Sequence, residues 1–147
     1  MSYSHSSAVS AYRAAAGQAH PMVAVVRLFD EVLRRIRLAI RDTEDKKIED
    51  AYIHISRASL ILRGLAGNLR FEQDADLAKT LQDAYIQNMI ALHTAFGKPD
   101  MAERYAAIMA GLTELRNSWA EIAGFAPVQP PAAPAVEPMP MAKVAAR

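Results

Sequence analysis

Residues 101–122 read MAERYAAIMAGLTELRNSWAEI, and within them Met101, Tyr105, Ile108, Leu112, Leu115, Trp119 and Ile122 recur at spacings of 4,3,4,3,4,3. A strict heptad of this kind places its large apolar side chains along one seam of a helix, the pattern of helices that pack at a shallow angle. The same 3.6-residue logic holds upstream. After Pro21, the residues Met22, Val25, Val26, Phe29, Val32, Leu33, Ile36 and Ile40 form one stripe that predicts a helix to about Thr43. Ile48, Ala51, Tyr52, Ile55, Ser59, Leu62, Leu65, Ala66 and Leu69 predict a second helix, with Gly67 and Asn68 suited to its end. Leu77, Leu81, Ala84, Tyr85, Asn88, Leu92 and Phe96 predict a third, closed by Gly97-Lys98-Pro99.

Four helices of about 22 residues would each be ~33 Å long. Their short connections force neighbours antiparallel, so the expected fold is all-α: an up-down-up-down four-helix bundle over residues 21–123. Pro21 and Pro99 stand ahead of apolar stripes, where the missing amide donor does no harm. The other six of the eight prolines fall between Pro127 and Pro140, so residues 124–147 read as a disordered Pro/Ala-rich tail. Residues 1–20 are expected to form an N-terminal arm or short helix, whose apolar Val9 and Tyr12 would need a surface to dock on.

With 147 residues, 52% of them apolar, the chain suits a single globular domain. A formal net charge of +1 supplies no field that would favour nucleic acid or an anionic membrane. The absence of cysteine removes disulfides, thiolate metal sites and a cysteine nucleophile, and fits the cytoplasm. No apolar run approaches the ~18 residues of a membrane span, and the first residues lack the pattern of a signal peptide. His5, His20, His54 and His93 never fall in a metal-ligand spacing, and Asp50 to His54 is the wrong interval for a di-metal bundle. His93, with Gly97 four residues later, has the outline of a phosphotransfer histidine, but Phe96 stands where that family carries a lysine and Pro99 ends the helix. Arg27, Arg34 and Arg41 make a line on the first helix beside Arg37, diluted by Asp30 and Glu31 and without interleaved aromatics, which reads as a solvated face. No catalytic constellation, metal site or cofactor loop emerges.

Left over once the seams are filled are Val23, Leu28, Leu38, Ile53, Leu60, Ile61, Ile86, Ile90 and Met109. Burying one aliphatic side chain is worth roughly 1.5–3 kcal/mol, so a row of them in water is a store of binding energy for a partner chain. The second and third helices together offer the longest candidate groove.

The landmarks in order are Ala11-Tyr12 in the arm, Pro21 followed by Leu28-Phe29-Asp30, Ser56-Arg57-Ala58 with Ile61 and Leu65, then Leu77-Ala78, Leu81, Tyr85 and Met89, and finally Leu112, Leu115, Arg116 and Trp119 to Ile122. Together they resemble the FliS family of flagellar export chaperones. The resemblance covers about residues 9–123. Departures are Asp74-Ala75 where the family has a glycine pair, Ala84 to Met89 in place of a Leu-Tyr-x-Tyr-Met run, and the proline-rich tail. The resemblance implies a cytoplasmic chaperone that binds the disordered C-terminal segment of flagellin, prevents premature polymerisation and hands it to a component of the export apparatus. It also implies an arm that covers apolar surface near the client's path. The expected partner-binding residues are Val9, Tyr12, Ile53, Leu60, Ile61, Ile86, Met89 and Ile90, with no catalysis, no cofactor, no nucleic acid, no membrane insertion, and a monomer or weak homodimer. The alternative reading is a helical-bundle adaptor or dimerisation module without a secretion client.

Overall fold

The computed structural model describes residues 19–69, 72, 74–125 and 127–130, with side chains of the first helix from residue 22 onward. Four helices follow one another: α1 (Ala19–Glu44), α2 (Ile48–Gly67), α3 (Ala75–Ala95) and α4 (Met101–Ala123). No strand occurs among the described residues. Each helix packs on its two sequence neighbours and α4 closes the ring on α1, which is the expected up-down-up-down bundle.

The ends follow from local chemistry. α1 begins two residues ahead of Pro21, still within the first turn, where no amide partner is lost. The α1–α2 turn is tight: Lys46 adopts φ +60°, and the Lys47 amide donates to the Asp42 carbonyl at 2.6 Å. α3 starts earlier than its apolar pattern, because the Asp74 carboxylate accepts the Leu77 amide at 3.0 Å and caps the first turn. Asp100, after Pro99, precedes α4 and accepts from the Arg104 guanidinium at 2.8 Å.

The core is built from Phe29, Ile36, Ile55, Leu62, Tyr85, Leu92, Tyr105 and Leu112, all essentially inaccessible. Phe29 and Tyr85 meet across the diagonal of the bundle with ring centroids 5.8 Å apart. Polar ties join each adjacent pair. His54 of α2 lies between Arg35 (2.9 Å) and the buried Asp42 (3.3 Å) of α1. Ser59 of α2 meets His93 of α3 at 2.8 Å. Trp119 donates its indole N–H to the Tyr85 hydroxyl at 2.9 Å, and the Tyr105 hydroxyl donates to the Leu92 carbonyl at 3.0 Å. Arg116 of α4 donates to the Asp30 carboxylate of α1 at 2.9 Å. Among the described residues no buried side-chain nitrogen or oxygen lacks a partner, so these groups set register without an unmet desolvation cost. Burial pushes the Tyr85 and Tyr105 hydroxyls up, keeping both neutral.

Two expectations about the core change. Met109, counted as surplus, is 2% exposed and part of the core. The reason is helix geometry: a straight helix drifts ~20° per heptad away from a 3.5-residue repeat. The seam holds at Met101, Tyr105, Ile108 and Leu112. Beyond it the buried face passes to Thr113, Arg116 and Ala120, leaving Leu115 and Trp119 half-buried and Ile122 exposed. Val23 and Leu38, also counted as surplus, are half-buried. Asn88 is half-buried and turns its amide to the Ala84 carbonyl of its own helix at 2.8 Å, so it joins no neighbour.

Candidate partner-binding surface

At about 100° per residue, Ile86, Met89, Ile90 and His93 stand at i, i+3, i+4 and i+7 and share one flank of α3. The Ser59–His93 bond identifies that flank as the one turned toward α2. Met89 is half-buried against the core, while Ile86 and Ile90 are 40% and 55% exposed. From the other wall comes Tyr52, which packs edge-on against His93 (6.4 Å) and Phe96 (5.5 Å). Ile48, one turn before Tyr52, is 50% exposed. The result is a trough between α2 and α3, apolar along its α3 wall and closed at one end by three rings. An exposed row of this kind is the chemistry that receives the apolar face of another helix.

The expected partner-binding residues divide. Ile86, Met89 and Ile90 come together in this trough. Ile53 and Leu60 do not join them. Each lies about 100–120° round α2 both from His54, which reaches α1, and from Ser59, which reaches α3, and so sits on the outer back of the helix. Ile61, seven residues after His54, lies on the α1 flank and is half-buried against the core. Val9 and Tyr12 lie outside the described residues.

Sequence reasoning placed Ile48 and Tyr52 inside the second helix's seam. Both are about half exposed, because the buried face of the helix runs through Ala51, Ile55, Ala58 and Leu62 and leaves them at its margin. Leu77, also assigned to a seam, is 55% exposed. His93 is an exposed residue engaged by Ser59 and Tyr52 as a wall of the trough. Among the described residues no group of three or more His, Asp or Glu side chains is arranged to hold a metal. No described helix is long and apolar enough to cross a membrane.

A small antiparallel bundle with an apolar trough on its outside has a surface suited to another polypeptide. The chain matches the family described as flagellar protein FliS over residues 5–125, and it belongs to that family of flagellar chaperones. No curated protein matches the chain.

Proposed function

We propose that this chaperone binds the disordered C-terminal segment of flagellin, keeps it from polymerising, and passes it to the export apparatus from the cytoplasm. The observation that carries the reading is the stripe on α3 in which Ile86, Ile90 and His93 are exposed and Met89 is half-buried, beside Tyr52 and Phe96. An unstructured client that folds as an amphipathic helix would set its apolar face on that stripe. Ordering consumes part of the contact energy, so a large interface stays releasable. Val9 and Tyr12 are proposed to cover apolar surface until the client displaces them. Mixing the full chain with unfolded flagellin, followed by size-exclusion chromatography with mass measurement, tests the reading. A 1:1 complex that is lost with flagellin truncated at its C-terminus is expected, and equal elution of both mixtures with no complex would reject it.

Ile53 and Leu60, seven apart on the back of α2 and 48% and 62% exposed, favour a second reading as an adaptor or weak homodimer. That reading requires mass to rise with concentration in the absence of client.

A further inference from the structure

The back of α2, turned away from both α1 and α3, carries a pattern that the bundle does not use. Ile53 and Leu60 stand within about 20° of each other on it and are 48% and 62% exposed. Gly64 lies within about 40° of both, and a methyl group there would meet nothing within 4 Å. Glycine inside a helix is costly against alanine, and no contact within the bundle calls for this one. Four exposed charges frame the face: Glu49 and Asp50 in the first turn, Arg57 and Arg63 further along. Acids at a helix start suit its dipole. The arginines have no such reason, since neither is in the last turn and neither has an acid three or four residues away. Among the described residues none of the four charges joins an ion pair.

By the same rotation Glu49 and Arg63 stand on the flank toward Ser59 and α3, and Asp50 and Arg57 on the flank toward His54 and α1. On each flank the acid is nearer the helix start than the base. Two copies of this face that meet about a two-fold axis perpendicular to α2 run antiparallel, and like flanks come together. Acid then lies alongside base, whereas a parallel pair would set each charge against its own kind. The apolar residues fix the register. Ile53 seated beside Leu60 of a second copy puts the axis between residues 56 and 57 and repeats the contact on the other side. Glu49 then comes within about 1.5 Å, along the helix, of Arg63 of the second copy. Gly64 lies opposite Glu49, where a missing side chain leaves room. Arg57, nearest the axis, meets its own counterpart, a like-charge contact that opposes the pair.

We propose that the back of α2 is a self-complementary interface on which two copies of this chain associate antiparallel, Ile53 against Leu60 and Glu49 against Arg63. The proposal rests on the weak-homodimer reading for there being a pair, and does not depend on a client. One helix face against another buries less than the ~1,200 Å² of a standard interface, and the Arg57 contact works against it, so the pair forms at about 0.1 mM. Because like flanks come together, the two α2–α3 troughs open on the same side of the pair.

Sedimentation equilibrium of the full chain without client, from micromolar to millimolar concentration, reads the association directly. The average mass should rise toward that of two copies. Leu60→Lys should weaken the pair by about tenfold or more with an unchanged melting temperature, since the site is exposed. Arg63→Glu should weaken it severalfold, adding Glu49→Arg should restore it, and Arg57→Gln should strengthen it. A mass that stays at one copy throughout rejects the homodimer and the interface together. A mass that rises equally in the parent and in Leu60→Lys leaves a homodimer standing and overturns this face. A pair that Glu49→Arg fails to rescue, or that Arg57→Gln does not tighten, overturns the antiparallel register.

Discussion

α1 and α3 are staves of the same bundle, yet they distribute their apolar residues in opposite ways. On α1, Val26, Phe29, Val32, Leu33, Ile36 and Ala39 are all buried, and Leu28 at 40% is the one large apolar side chain left exposed among its described residues. On α3 only Ala78, Tyr85, Leu92 and Ala95 are buried, while Leu77, Ile86 and Ile90 remain 40–55% exposed. One helix is apolar on the face the fold requires. The other is apolar on that face and on a flank the fold leaves in water. The difference separates residues that hold the bundle together from residues free to hold something else.

The comparison breaks most visibly at Phe29. Removing a fully buried ring that packs on Tyr85 should cost about 3–5 kcal/mol of stability, measured by urea unfolding of Phe29→Ala. Ile90→Ala, at a 55% exposed site, should change stability by no more than about 0.5 kcal/mol. The reverse holds for binding. Replacing Ile86 and Ile90 together by serine should weaken a flagellin C-terminal peptide by about ten- to a hundredfold, since full burial of an aliphatic is worth roughly 1.5–3 kcal/mol and only the 40% and 55% of these side chains that are exposed remain to be buried by a client. Calorimetry reads that loss. If the melting temperature fell instead while the affinity held, the flank of α3 would be structural and the contrast with α1 would disappear.

The bundle was legible because spacings of three and four name a stripe on a helix, and short connections name the partner. A stripe has no stated width, however. Ile48, Tyr52, Leu77 and Ile122 fit their stripes and still emerged exposed, while Met109, outside its stripe, went to the core. Whether a marginal residue is covered depends on how closely the neighbouring backbone approaches, and that depends on alanines such as Ala51 and Ala58 read together with the opposite helix. For the site, the grouping of Ile86, Met89 and Ile90 followed from periodicity. The separation of Ile53 and Leu60 did not, because it takes contacts such as His54–Arg35 and Ser59–His93 to show which way each flank of α2 points. Arg116 and Asp30, 86 positions apart, carry no local sign of their pairing.

That pair sharpens the comparison at the polar edge of α1. The Arg116 side chain is 8% exposed and the Asp30 carboxylate 48% exposed. Asp30→Ala leaves a buried cation with Asn117 and less charge compensation, at a cost of about 1–3 kcal/mol. Asp30→Asn keeps an acceptor and should cost less. Denaturation midpoints of the parent chain and the two variants decide it: equal midpoints of the parent and Asp30→Asn would mean that the charge of Asp30 contributes nothing, and equal midpoints of the two variants that its acceptor contributes nothing.

The smallest effect belongs to the outer face of α1. Glu31 accepts from Arg34 at 2.8 Å and from Arg35 at 2.8 Å. The Arg34 bond first, against a partial desolvation cost, and then the Arg35 bond and the charges of both arginines lower its pKa from 4.5 to about 2. Since the folded-state value lies below the unfolded one, the stabilisation is complete above about pH 4.5 and is lost as pH falls toward 2. The carboxylate is one-third exposed and screened by water, so the whole contribution stays below about 1 kcal/mol. Urea midpoints of the parent chain and Glu31→Gln should therefore differ slightly at neutral pH and converge in acid. A gap that widened on acidification would reverse the sign and show that Glu31 is held in its protonated form.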